Sequence, residues 1–139
     1  MTATVTYKQA NLFAAALDAD DFEAALALLA PDCVYERTKD VEISGAESII
    51  QSYRESSNRA QQLFDSVLYT SDVMSSSETM AELLFADHLE AKGKSHIYRS
   101  RQYLQFDAKG AITRIRHEEI SGERDRLNAF IEESGLKNE

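Results

Sequence analysis

Cys33 is the only cysteine in a chain of 139 residues, so no internal disulfide can form and a reducing cytoplasm is the expected compartment. No apolar run reaches the about 18 residues that a membrane-spanning helix needs. The first residues lack a basic segment followed by an apolar core, so a secretory signal is not expected. Basic charge is scarce: 15 Lys and Arg stand against 24 Asp and Glu, a formal net charge of −9. Phosphate binding relies on a basic surface, which argues against a nucleic-acid partner and equally against anionic membranes. No glycine-rich phosphate loop, internal repeat, linker or low-complexity tract interrupts the chain.

Strong chemical motifs are also missing. The three histidines, His88, His96 and His117, show no recognisable ligand spacing, so neither a metal nor another cofactor is expected. Ser44 and Ser100 lack the strained turn that activates a nucleophilic serine. Cys33 lies at a strand start among apolar neighbours, where a small core residue is the simpler reading.

With 43% hydrophobic residues, residues 1–139 can form one domain around one core. Leu12, Phe13, Ala16 and Leu17 recur at helical spacing, as do Phe22, Ala25, Leu26 and Leu29. Asp20 or Asp21 can cap the second of these helices, and Pro31 is expected to stop it before a strand that includes Val34 and Tyr35. Ser44 and Glu47 have capping-box spacing at the head of a third helix carrying Ile49, Ile50 and Tyr53. From Phe64 the β-formers take over. Strands are expected over 64–73, 79–91, 95–106 and 111–121, with the Ser75-Ser76-Ser77 run as a turn. Lys92-Gly93 and Asp107-Ala108-Lys109-Gly110 read as the turns of a meander. Residues 123–134 form a last amphipathic helix, closed by Gly135.

Helix, acidic break, short helix and strand in "AALDADDFEAALALLAPDCVYE", with the later hairpin "FDAKGAITRI", resemble the nuclear transport factor 2-like superfamily, which includes SnoaL-like cyclases and ketosteroid isomerases. The resemblance spans nearly the whole chain at the level of pattern. It implies an α+β, cone-shaped domain: helices packed on a strongly curved, mainly antiparallel sheet around a pocket for a small molecule, often paired as a homodimer. The isomerases' tyrosine, aspartate base and protonated aspartate fall here on Phe13, Arg37 and Gln102, none of which can take over the isomerase roles. The aspartate that many SnoaL-like relatives carry after the last strand is replaced by Ser121-Gly122-Glu123.

The last hairpin gives a more specific expectation. With Phe106 opposite Ala111, the ladder pairs Gln102 with Ile115, Ser100 with His117, and Tyr98 with Glu119. Alternation then puts Tyr98, Ser100, Gln102, Leu104, Thr113, Ile115, His117 and Glu119 on one face. Arg99, Arg101, Tyr103, Gln105, Ile112, Arg114, Arg116 and Glu118 share the other. Four arginines are hard to bury, so the second set is placed outside, with Tyr103, Ile112 and the arginines as a candidate homodimer face. The first set lines the pocket. There His117 is the candidate acid–base residue, Glu119 its orienting carboxylate, and Tyr98 a hydrogen-bond donor to a developing oxyanion. Phe13, Tyr35, Arg37, Tyr53, Ser100 and Gln102 are the expected ligand contacts. Two function classes fit: cofactor-free proton transfer on a small, partly apolar molecule (isomerase, cyclase or dehydratase type), or a non-catalytic ligand-binding or dimerisation module.

Overall fold

The computed structural model describes residues 2–38 and 40–136. Its elements run α1 (Ala3–Asp18), α2 (Phe22–Ala27), β1 (Leu29–Thr38), β2 (Val41–Ser44), α3 (Ala46–Leu63), β3 (Ser66–Ser76), β4 (Met80–Ala91), β5 (Lys94–Phe106), β6 (Ile112–Glu119) and α4 (Glu123–Glu133). The strands form one curved, unclosed sheet in the order β2-β1-β6-β5-β4-β3. Every neighbouring pair is antiparallel except β1 with β6, which is parallel. The architecture is the expected α+β cone, with helices on the concave side of a bent sheet.

Two apolar clusters hold the helices there. The larger joins Phe13 and Leu17 of α1, Phe22 of α2 and Ile49 of α3 to Leu83, Leu104 and Ile115 of the sheet. The smaller seats Leu127, Phe130 and Ile131 of α4 on Leu89, Ala91 and Tyr98. Between them the concave face stays open. Burial of apolar area, at about 25 cal/mol per Å², is what fixes the helices to these two ends of the sheet.

Several local expectations meet a different outcome. Helix α2 ends at Ala27, and Pro31 lies inside β1. Proline fits there because the pairing with β6 jumps from Leu29–Ile112 to Val34–Arg114, leaving residues of an arch that need no ladder N–H. Ser44 makes no capping box, because it is the last residue of β2, an unforeseen strand, and pairs with Val34. Gly45 becomes the N-cap of α3 with φ of 97° and no side-chain hydrogen bond. Asp21 does cap α2, accepting the Ala24 N–H at 3.2 Å. The serine run is not a turn throughout: Ser75 and Ser76 pair with Glu82 and Ala81 as the end of β3. Lys92 and Gly93 form the expected turn with φ of 53° and 77°, and their twist suits a two-residue hairpin.

The β5–β6 register is displaced by two residues. The loop holds five residues rather than four, with Asp107 N–H donating to the Ala111 carbonyl at 2.9 Å. Thr113 is a bulge, since Phe106 pairs with Ile112 but Gln105 with Arg114. Gln102 therefore faces His117, and Ser100 faces Glu119. One residue of slip would have turned the strand over; two preserve its faces. Ile112 and Thr113, before and at the bulge, do exchange sides. Ile112 is fully buried in the core rather than on the convex face, and the Thr113 hydroxyl donates to the Gln105 carbonyl at 3.2 Å.

Candidate functional site

Inside the cone is a cavity of about 400 Å³, a size suited to a small organic molecule. The ends of α1 and α2, the inner face of α3 and the concave residues of β1, β3, β4, β5 and β6 surround it, and Arg124 of α4 stands at its edge. Tyr35, Arg37, Tyr53, Tyr98, Ser100, Gln102, His117 and Glu119 all line it. Phe13 does not. It is fully buried behind the wall, with its ring edge-on to Tyr53 at 6.2 Å between centroids.

The partners of these residues differ from the expected ones. Glu119 accepts from Arg124 Nη2 at 2.9 Å and Nε at 3.2 Å, and no described residue links it to His117. Arg124 also donates to the Tyr98 hydroxyl at 3.3 Å and lies 5.2 Å above its ring. With that oxygen already accepting, the Tyr98 proton is left for the cavity. Burial raises the pKa of Tyr98, against the opposing pull of Arg124, so the hydroxyl keeps its proton at neutral pH. Tyr53 donates to Gln102 Oε1 at 2.9 Å and touches Tyr35 edge-on at 5.6 Å. Burial pushes the Tyr35 hydroxyl up to about 12 and that of Tyr53 well above its ordinary range. His117 stacks on Tyr35 at 6.5 Å. Burial is the main cause that lowers its pKa, with Arg124 and Arg37 acting the same way and Glu119 opposing them. A neutral imidazole follows at pH 7.

The structure adds residues for which the sequence reading had no role. Asp87 of β4 stands between Tyr69 of β3 and Tyr98 of β5 in the ladder, all three lining the cavity. Burial, reinforced by the charge of Asp18, pushes the Asp87 carboxyl up to about 6. The signal was present in Leu83-x-Phe85-x-Asp87-x-Leu89-x-Ala91, where a carboxylate interrupts an alternating apolar face. Asp18, at the end of α1, accepts from Ser71 and is likewise raised, first by burial. Nothing in the sequence marks it out from the other helical carboxylates.

A third carboxylate, Asp20, sits in the left-handed region with φ of 53°, a conformation aspartate tolerates better than most residues. It accepts Ser57 Oγ at 3.0 Å and Gln61 Nε2 at 2.9 Å. Ser57 has one proton and gives it to Asp20, so Tyr69, 3.1 Å away, is the donor to Ser57. Tyr69 thus turns an accepting oxygen to the cavity while Tyr98 turns a donor. Ser57→Ala leaves Tyr69 without its acceptor and Asp20 without one donor; a loss of about 1–2 kcal/mol is expected in urea unfolding.

Among the described residues no group of three His, Cys, Asp or Glu is placed to hold a metal ion, and no helix is long and apolar enough to cross a membrane. Cys33 is fully buried in the core, where burial pushes its thiol up to about 11.

No protein-family model matches the chain, and no curated protein matches it in sequence. Solved structures do match in shape. A candidate polyketide cyclase from Xanthomonas campestris pv. campestris superposes with a TM-score of 0.69 at 15% identity, over 94% of this chain and 96% of that one. A second candidate polyketide cyclase, from Pseudomonas putida KT2440, gives 0.60 at 16%, over 89% and 96%. An LEH-like epoxide hydrolase of M. tuberculosis gives 0.65 at 20%, over 95% and 98%. Identities this low speak for the fold alone. What the chain shares with these structures is their α+β cone fold.

Proposed function

We propose that the cavity binds a small, partly apolar molecule and moves a proton on it without a cofactor, with Asp87 as the proton carrier. The observation that carries this reading is the place of Asp87: a carboxyl with no hydrogen bond from any described residue, between two tyrosines on a concave face that is otherwise apolar along its strand. A carboxyl held at about 6 exchanges protons readily near neutral pH. In the simplest step, the Asp87 carboxylate takes a proton from carbon beside a carbonyl, and the carbonyl oxygen gains negative charge against the Tyr98 O–H. That charge is stabilised where it develops, and Arg124 polarises the tyrosine from behind. The proton then returns from Asp87 to another atom of the same molecule. The similar structures are a candidate polyketide cyclase and an LEH-like epoxide hydrolase, both acting on small organic molecules by name.

His117 passes from proton carrier to a neutral hydrogen-bonding group in this reading, because Glu119 is held by Arg124. A second reading, a non-catalytic binding module, draws on the pairing of Tyr53 with Gln102 and of Ser57 with Asp20, which satisfies much of the polar wall internally. Hydrogen–deuterium exchange at the α-carbon of a panel of aryl and cyclic ketones, followed by NMR in D₂O, separates the two. The catalytic reading expects exchange that rises with pH through about 6 and falls at least about 100-fold in Asp87→Asn. Ketones that bind but exchange at the buffer rate leave only the binding module.

A cytoplasmic homodimer completes the proposal. The convex face offers Tyr103 under Arg116 at 4.4 Å and Arg101 between Glu82 and Glu118 at 3.1 and 3.0 Å; arginine and tyrosine are enriched at interfaces. Light scattering at micromolar concentration is expected to give twice the chain mass, and a monomer mass contradicts pairing.

A further inference from the structure

Resting on the small-molecule reading, the hydrogen-bonding capacity left around the cavity indicates what kind of molecule fits it. Asp18 is engaged by Ser71, Asp20 by Ser57 and Gln61, and Glu119 by Arg124. Of the cavity's carboxylates only Asp87 has no hydrogen bond from a described residue. The cations divide differently. Arg124 is occupied, whereas Arg37 of β1 and Arg59 of α3, both exposed at the cavity's edge, have no ion-pair partner among the described residues, although acidic residues outnumber basic ones by 24 to 15. Of the two, Arg37 is the one beside His117. Arg37 lines the cavity from β1, on the strand that pairs with β6, which carries His117.

His117 adds a second donor. Its Nδ1 is enclosed by protein and meets no partner among the described residues. An orphaned buried N–H is rarer than an orphaned acceptor, which assigns the ring proton to Nε2, bonded by no described residue. The Nε2–H is then the group that a cavity ligand meets. A guanidinium and an N–H on neighbouring strands, both without acceptors, call for an oxyanion. The acid side of the cavity, Asp18 and Asp87 on α1 and β4, stands across β5 from this pair. The cavity is therefore polar end to end, with hydrogen-bond donors at β1 and β6 and a proton acceptor at β4.

We infer that the substrate is a small organic anion, seated by a carboxylate or equivalent oxyanion on Arg37 and His117, with its apolar body over Tyr35 and its reacting end toward Asp87. The anion fixes which end of the molecule reaches Asp87, so Arg37 and His117 determine specificity without moving the proton. The charge requirement also sets what binds more weakly: a cation would meet Arg37, and a neutral isostere would leave Arg37 without its anionic partner.

The probes are 1-naphthylacetate and its neutral counterpart 1-naphthylacetamide, which differ in charge with little change of shape. Both are titrated into the protein while the aromatic resonances of Tyr35 and His117 are followed by NMR. The carboxylate is expected to bind at least about tenfold more tightly than the amide. Arg37→Gln should remove that preference by weakening the carboxylate alone, and His117→Gln, which keeps an N–H donor, should retain most of it. Arg99→Gln, an equal loss of charge on the opposite face of the sheet, should leave it intact. Equal affinity for the two probes, or a preference unchanged in Arg37→Gln, overturns the anion assignment while leaving the pocket reading standing. If neither probe perturbs the cavity resonances of the folded protein, the small-molecule reading fails and the anion assignment with it.

Discussion

Asp87→Asn is expected to make the protein more stable at pH 8, by up to about 3 kcal/mol, and no more stable at pH values well below 4. The carboxyl is held near 6 in the fold against a model value of 3.8, and each unit of difference is worth about 1.4 kcal/mol. The sign follows from linkage. Below 3.8 the side chain is protonated in both states and contributes no difference. Between 3.8 and about 6 the unfolded chain loses its proton first, so the native state falls behind. Above about 6 the penalty is complete. Asparagine cannot ionise and escapes it. Urea unfolding of both proteins across pH 4–8 reads the effect directly. A variant less stable than the parent at pH 8 would mean that the carboxylate is solvated or bonded in the fold, and the proton-carrier role would go with it. A gain in stability with a loss of exchange activity is the pattern of a residue kept for function at the expense of the fold.

The largest loss is expected at Phe13. Its side chain is fully buried between α1, α3 and the sheet, edge-on to Tyr53. Phe13→Ala removes the ring's transfer free energy and leaves a void in the buried cluster it belongs to, a cost of about 3–5 kcal/mol. Because Tyr53 rests on this ring and holds Gln102, the cavity wall should loosen as well. The sequence reading put Phe13 against the ligand, which predicts lost affinity with little change in stability. Chemical denaturation decides between them: a loss below about 1 kcal/mol returns Phe13 to the cavity lining, and a loss of the expected size keeps it in the core.

What the sequence revealed follows from how local each signal is. Helical periodicity marked α1, α2, α3 and α4, and the Lys92-Gly93 turn set the β4–β5 pairing, because both depend on neighbouring residues alone. The concave set on β5 was legible for the same reason: alternation fixed Tyr98, Ser100 and Gln102 once their strand was recognised. Long-range pairing was less visible. Pro31 reads as a helix stop until the parallel β1–β6 contact shows that its missing N–H falls in an arch. Ser44 reads as a cap until β2 claims it. Thr113 carries no bulge signature, and only the even total of the slip kept His117 and Glu119 on their expected face.

The site was legible in outline rather than in its pairings. Eight expected residues reach the cavity because period-2 alternation and helix faces are robust. Partners such as Arg124, which takes Glu119 away from His117, come from an element packed across the cone and leave no mark on the strand itself. Asp87 is the intermediate case, written plainly in the alternation of β4 yet distinguished from an ordinary edge carboxylate only once Tyr69 and Tyr98 are known to flank it.

The central claim is that Asp87 changes protonation near neutral pH inside the cavity. Carbon-13 NMR of its side-chain carboxyl, assigned by its absence in Asp87→Asn and followed from pH 4 to 8, tests that claim without any substrate. The predicted midpoint is about 6; a midpoint near 3.8, the value of an ordinary aspartate, would contradict the account.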